Sequence, residues 1–544
     1  MEAWDVVVLG DTHAGLRAAS ESAAAGATTL LLSSTGLGHH GHGARDGIAA
    51  GLQEANNRGH REDTVRSGAF LSDQDVVSTI TAKAIGEVDY LERKGVIFHR
   101  DQKGLPKTRH AVGHLQPRCI DSGDSTSLEV HQVLEEQAMK FGVVRRGDHI
   151  PLHLVLNDFA VEGLLALDSM NGTIVPIQCK ALIIADEGFE GAFSGGPVGF
   201  GMDMAFRAGV PLRDMEHVLA HPLCIKGTNI ALPFGLLFDG ATLHESSGPE
   251  IATKDLDHTA LCDAISSAVQ PVLDARHLGE NKAWWASTFD LVKMRSGIDM
   301  NRSTVPIECR VDFTIGGLPV DSLGRCVVGS WSRWATGLYA AGDAASSGFH
   351  GAGLLIGNRM LDSLAIGSAA GRDAASGDWL AGRSFASSDR LQEACSQLEA
   401  DISAMMEEDE EKSHALRIGN IVSSIRSSLD ATKEMNTQSL QQLKEELEAI
   451  SLQAESLHLD QTSLVMNTNL VEVLNIQASI RMLTACTASS LVREESRGQF
   501  KRSDFPESSH DFLYHITVDA AGQTGRLALK KGAGGHWILA PQEE

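Results

Sequence analysis

Apolar residues first gather at Val6-Val7-Val8-Leu9, a continuous run of the kind a strand buried on both faces requires. A tight turn follows from Gly10 to Gly15, then an alanine-rich stretch that reads as a helix to about Ala25, then a second short apolar run from Thr28 to Leu32. Strand, turn, helix and strand in that order open a parallel-sheet nucleotide-binding unit. A helical pattern occupies Asp75 to Lys94, and strand signals return at Leu152 to Val161 and Leu182 to Ala185. Between His221 and Asp321 the periodicity breaks into short mixed segments, as an inserted domain would produce. Strand and turn signals resume from Gly337 to Asp343, before a small-residue helix through about Arg372. Residues 386–496 hold few glycines, and leucines at heptad-like spacing from Leu440 to Leu457 predict antiparallel helices there. The chain beyond them returns to short strands and turns.

A length of 544 residues exceeds one compact core and agrees with several domain-sized units. Hydrophobic residues at 42% and charged residues at 22% are ordinary for a globular fold and exclude disordered, fibrous and membrane-spanning classes. With 46 basic against 71 acidic residues the net charge is −25, a field that repels nucleic acid and anionic lipid. The eight cysteines form no C-x-x-C pair, so neither a disulfide framework nor a metal or iron–sulfur site is expected, and a reducing compartment fits. No apolar run has the length of a membrane helix, and the folded pattern starts at Val6, leaving no room for a targeting peptide. A cytoplasmic protein is expected, with any membrane contact made at the inner face through a partner. The acidic run Glu407-Glu408-Asp409-Glu410-Glu411 reads as a solvated helix end or loop rather than a docking face.

The turn after the first strand carries two of the three glycines of a dinucleotide fingerprint, Gly10 and Gly15, with Thr12 in the middle place. The acid expected after the second strand is replaced by Ser33 and Ser34. Thr12 and Ser33 still offer hydroxyls to a phosphate and a ribose.

Several blocks, in order, make the chain resemble the flavoprotein subunit of the succinate dehydrogenase and fumarate reductase family, which includes L-aspartate oxidase. They are the fingerprint with Ala14-Gly15-Leu16-Arg17-Ala18-Ala19, LSDQDVVSTITAKAIGEVDYLERKGVIFHRDQKG at 71–104, GHLQPRCIDSGDSTS at 113–127 and GFGMDMAFRAGVPLRDMEHVLAHP at 199–222. DFTIGGLPVD at 312–321, GLYAAGDAASSGFHGAGLLIGNRMLDSLAIGSAAG at 337–371, NTNLVEVLNIQ at 467–477 and VREESRGQFKRSDFP at 492–506 complete the series. The resemblance implies an α/β fold: a split Rossmann-like FAD-binding domain, an inserted α+β capping domain and a C-terminal helical bundle. The corresponding boundaries are 1–221 and 323–380 for the FAD domain, 222–322 for the cap, 381–505 for the helices and 506–544 for a terminal segment.

The implied cofactor is FAD, its pyrophosphate at the first helix N-terminus on Gly10, Thr12 and Gly15, with Ser33, Gly47 and Gly188 along its path. Asp343 stands where the family has a glutamate near the ribityl chain. The amides of Arg359 and Met360 open the late helix whose dipole favours negative charge on reduced flavin. His40 falls on the place of the histidine that bonds covalently to flavin in respiratory members, within a loop that holds other histidines.

The chemistry implied is hydride transfer between a small carboxylate and flavin, with electrons passed to an iron–sulfur subunit and, through it, to membrane anchor subunits. Glu216 and His221 match the family pattern, His221 as a carboxylate donor, and His258 falls near the place of the cap's proton-transferring arginine. The sequence departs from the family at Pro233-Phe234, where threonine and glutamate are expected, at Asp312 for a histidine, and at Leu354 for a clamping arginine. Asp186-Glu187 adds two carboxylates near the pyrophosphate. Arg295, Arg302 and Arg310 lie upstream of the T-x-G-G segment as further cations. These departures keep two alternatives open beside the oxidoreductase: a catalytically inactive paralogue serving as a structural or regulatory subunit, and an enzyme like soluble L-aspartate oxidase.

Overall fold

In a computed structural model of the chain, described over residues 1–38, 45–246, 248–253, 256–406, 413–426, 435–459 and 461–541, the first apolar run is strand β1 (Glu2–Leu9). Helix α1 (His13–Ala24) and strand β2 (Thr29–Leu32) follow. β1 lies parallel between β2 and the strand Thr173–Ile184, with Val7 opposite Leu30 and Leu182, so its four apolar residues are buried on both faces. The eight-stranded sheet runs Arg325–Val328, Ser330–Ala340, Ala160–Asp168, Thr173–Ile184, β1, β2, Val144–Arg146, with His149–Asn157 paired to Ala160–Asp168. Ser330–Ala340 also pairs directly with Thr173–Ile184, closing the parallel centre with chain from the far side of the insertion.

The single strand read at Leu152 to Val161 is a hairpin. Its two strands turn at Asp158 and Phe159, both left-handed at φ 46° and 59°. No glycine marks that turn, and apolar spacing on either side simulates one continuous strand. A further helix, Glu54–Ser67, precedes the helix Gln74–Lys94.

The cap is a five-stranded antiparallel sheet in the order Val218–Ile225, Val305–Thr314, Pro271–Asp274, Thr242–Glu245, Glu250–Ile251. Helices His258–Ser267 and Ala286–Ser296 pack on it over a core that includes Leu223, Phe234, Leu261 and Trp285. Its first and last strands are the entry and the exit of the insertion, and they pair side by side. That pairing sets His221 and Asp312 at the join between cap and sheet.

The predicted helices are Asp389–Met405, Ala415–Arg426, Thr437–Ala454 and Thr468–Val492. Leu440, Leu443, Leu447, Ile450 and Ala454 form one buried stripe, and Asn436 begins its helix with a capping box on Ser439. These helices share one continuous core with the large sheet. The last segment returns to the FAD-type domain: Tyr514–Val518 pairs with Leu212–Arg213 and with Thr524–Ala528.

Candidate functional site

The turn after β1 has the tight geometry its glycines imply. Gly10 takes φ 106°, and a Cβ there would lie 2.2 Å from the Ala185 carbonyl oxygen; one on Gly15 would lie 2.0 Å from that of Gly10. Thr12 caps α1 itself, accepting from the Gly15 amide at 3.1 Å and donating to the Ala185 carbonyl at 2.6 Å. One helix-terminal amide that a phosphate would use is therefore occupied by the threonine.

Beside this turn opens a cavity of about 190 Å³ lined by Gly10, Thr12, Ser33, Asp186, Glu187 and Glu190 among others. Its wall is acidic. Burial pushes Asp186 up to about 7, and burial with the neighbouring Asp343 carboxylate raises Glu187 and Glu190 to about 7 and about 8. Asp186 also accepts from the Gly201 amide at 2.6 Å. Glu187, Glu190 and Asp343 bring carboxylate oxygens within 4.8 Å of one another, and Arg359 supplies the counter-charge through Asp343. Gly188 lies against Glu190 and Thr314.

A second cavity, of about 20 Å³, has room for a single water. Around it stand Arg45, Asp46 and Gly47 from the glycine-rich loop, His221 and Phe234 from the cap's first strand and turn, His258 from the cap helix, Asp312 from its last strand, and Leu354 and Arg359 from the late segment. Asp312 lines both cavities. Arg45 donates to its carboxylate at 3.1 Å, and Arg359 approaches the other carboxylate oxygen at 3.6 Å.

His221 and His258 face this small cavity as expected, with Phe234 between them at ring distances of 4.5 and 5.7 Å. Burial is the main cause that depresses both, to about 3 for His221 and about 4 for His258, so both are neutral near pH 7. The Leu223 amide donates to Nδ1 of His221, which leaves its proton on Nε2, a buried donor with no hydrogen-bond partner among the described residues. Gln499, oriented by the Ala220 amide, donates to Nδ1 of His258 at 3.0 Å.

Glu216 does not reach the pocket. It is fully buried against Arg493 at 2.6 Å, within a cluster that continues through Glu495 to Arg497. Arg302 pairs with Asp299 at the surface and Arg310 with Glu308, and neither they nor Arg295 line the small cavity. The guanidinium groups that do are Arg45 and Arg359. In the sequence Arg359 stands out only through its backbone amide, and the sole local signal for Arg45 is its place before Asp46-Gly47 in the glycine-rich loop. Asp46 fills the same corner, accepts from the Phe234 amide at 2.9 Å, and is pushed up to about 6 by burial. Met360 is buried in the core behind the helix start, and His40 lies outside the described residues.

Comparison with known proteins places these features in context. A family model described as FAD binding domain matches residues 5–360, and one described as Fumarate reductase flavoprotein C-term matches 431–533. A fumarate reductase flavoprotein subunit from Serratia is 27% identical over 562 residues, covering 94% of this chain and 91% of its own. A succinate dehydrogenase flavoprotein subunit from Rickettsia conorii is 26% identical over 580 residues, covering 97% and 94%. Among solved structures, the FrdA chain of E. coli quinol fumarate reductase superposes with a TM-score of 0.89 at 24% identity, covering 100% of this chain and 99% of its own. At that identity the superposition shows a shared fold.

Proposed function

Since the chain belongs to the FAD-dependent flavoprotein family of fumarate reductase and succinate dehydrogenase, we propose that it exchanges electrons between a small carboxylate and an iron–sulfur partner. The observation that carries this reading is the small cavity itself. Two cap histidines and two arginines converge on one point between the cap and the start of the helix Asn358–Ala374, in a chain whose first 360 residues follow the FAD-binding pattern.

FAD is the cofactor of this domain, and it supplies the two-electron chemistry when bound. The nucleotide half fits the residues present: the tight turn after β1, the open cavity and the Ser33 hydroxyl lie along it. The flavin half meets the Arg359 side chain, held between Asp343 and Asp312, and would need it displaced. Gly47, Gly188 and the start of the helix Asn358–Ala374 border that half.

On the substrate side, His221 offers its Nε2 proton to a carboxylate oxygen, and His258, neutral and held by Gln499, offers a second polar contact. The positive charge comes from Arg45, which would exchange Asp312 for the substrate carboxylate. Leu354 and Phe234 contribute apolar walls where a clamp and a proton relay stand in the family pattern, so the substrate favoured is small and singly clamped.

Electron passage to an iron–sulfur partner is supported by the family relationship. Among the described residues no helix is long and apolar enough to cross a membrane, so the proposed membrane contact is peripheral and runs through that partner.

The test is a visible spectrum of the purified chain after incubation with FAD, followed by acid precipitation. Flavin absorbance in the redissolved protein supports the reading, and colour in the acid pellet assigns covalent attachment, with His40 as the site to substitute. Succinate oxidation and fumarate reduction with an artificial electron carrier test the carboxylate. A protein that stays colourless with excess FAD overturns the reading in favour of a non-catalytic subunit.

A further inference from the structure

We propose that Arg359 decides which ligand the FAD cleft admits: its ion pairs with Asp343 and Asp312 close the flavin end, so the ligand-free protein accepts the ADP half of the cofactor and takes the isoalloxazine only after this side chain swings out. The inference rests on the FAD reading of the cleft given above and adds to it a gate formed by this chain's own residues.

Arg359 is the second residue of the helix Asn358–Ala374, so its side chain leaves the chain at the helix end where the flavin ring is expected. It does not project into solvent: the residue is 7% exposed. Its Nε donates to both Asp343 carboxylate oxygens at 3.1 and 3.2 Å, and Nη2 donates to one of them at 2.5 Å. Nη1 donates to the Asp312 carbonyl at 3.4 Å and lies 3.6 Å from its carboxylate, while the guanidinium carbon stands 4.5 Å above the Phe313 ring. Every side of the planar group is engaged, which fixes one orientation.

That orientation divides the cleft. The nucleotide side keeps about 190 Å³, whereas the side bounded by Arg359 and the loop Arg45–Gly47 keeps about 20 Å³. Asp312 lines both, and at that boundary it meets Arg45 at 3.1 Å and Arg359, which lines only the smaller side, at 3.6 Å. A tricyclic ring cannot share a space that holds one water, but a nucleoside diphosphate needs only the larger side.

Opening that boundary has an electrostatic cost. Asp343, Glu187 and Glu190 already crowd one another, and withdrawing Arg359 removes the cation nearest to all three. The ligand-competent state is thus a minority state of the free protein, and apparent FAD affinity is reduced by its population. ADP, which does not require that state, escapes the reduction.

Calorimetric titration of the purified full chain with FAD and, separately, with ADP tests this. The wild type is expected to bind FAD no more tightly than ADP. Arg359→Ser is expected to raise FAD affinity relative to ADP affinity by about tenfold or more. Because Arg359→Ser leaves carboxylates without their cation and can fail to fold, the charge-balanced pair Asp343→Asn with Arg359→Ser is measured beside it and is expected to show the same selective gain. Equal shifts for FAD and ADP in the variants, or no gain for FAD, overturn the gate and leave the FAD reading intact. So does a wild-type protein that retains stoichiometric FAD through purification. Binding of neither ligand to any of the three proteins overturns the FAD reading and the gate with it.

Discussion

His221 and His258 illustrate how burial changes what a residue type can do. Histidine attracts attention because it titrates near neutrality, yet here both rings are held neutral, at about 3 and about 4, by desolvation. Their NMR ring signals are expected to stay at neutral-imidazole positions between about pH 6 and 9, and a titration in that window would remove them as simple hydrogen-bond donors. Glu216 makes the complementary case. Glu216→Gln is expected to lower stability by about 3 kcal/mol, since it disturbs a buried ion pair with Arg493. Its KM for substrate should match the wild type, because the side chain does not reach the cavity; a raised KM at unchanged stability would restore it to the site. The motif around residues 214–222 was legible and did deliver His221 to the pocket. It could not reveal that Glu216, five residues earlier on the other side of a strand start, faces away toward Arg493 across 277 positions of sequence.

At the scale of elements, the β1–α1 turn was readable in detail because all of its determinants are local. Thr12→Gly is expected to cost only a few tenths of a kcal/mol as a lost cap, and to strengthen ADP binding by freeing the Gly15 amide. Gly15→Ala should cost about 2 kcal/mol or more, because its Cβ has no room against the Gly10 carbonyl; denaturant unfolding of both variants separates the two effects. The tie between the terminal segment and the FAD-type domain is nonlocal. His515 is fully buried between Asp214 at 2.7 Å and Asp73 at 3.2 Å, with Arg213 also on Asp73. Burial opposes charge on the ring, but Asp214 and Asp73 outweigh it and raise His515 to about 9. The stabilisation is therefore complete below about pH 6.5 and is lost as pH rises through about 9. His515→Gln should cost about 3 to 5 kcal/mol at pH 7 and flatten the fall in melting temperature on the alkaline side. An unchanged slope would assign that fall to other groups.

For the whole molecule, acidity concentrates where the cofactor domain needs it least. Asp186, Glu187 and Glu190 rise from ordinary values of 3.8 and 4.5 to about 7 and about 8, chiefly through burial. The folded chain thus keeps protons there that the unfolded chain has released, so these groups make stability fall as pH rises from about 4.5 through 8. In the proposed reading, nucleotide phosphates would meet the same carboxylates. Binding of ADP is expected to weaken across this range and to take up protons, seen as a buffer-dependent heat in calorimetry; a heat independent of buffer would show that the carboxylates do not couple to the ligand. The net charge of −25 announced an acidic protein, but its consequence depends on four side chains, Asp186, Glu187, Glu190 and Asp343, brought together in the fold.

By itself the sequence determined the architecture: the strand-turn-helix opening, the inserted cap, the heptad-spaced helices and the family pattern, all of which rest on periodicity and on neighbours close along the chain. Only the tertiary structure decided the contents of the site. Arg45, Asp312, Asp343 and Arg359 are separated by up to 314 positions, and nothing in their spacing says that they pair with one another. Their meaning arises when the cap's two edge strands pair and the late helix returns against the first loop, because an ion pair depends on distance in space and on exclusion of water, neither of which is written in spacing along the chain.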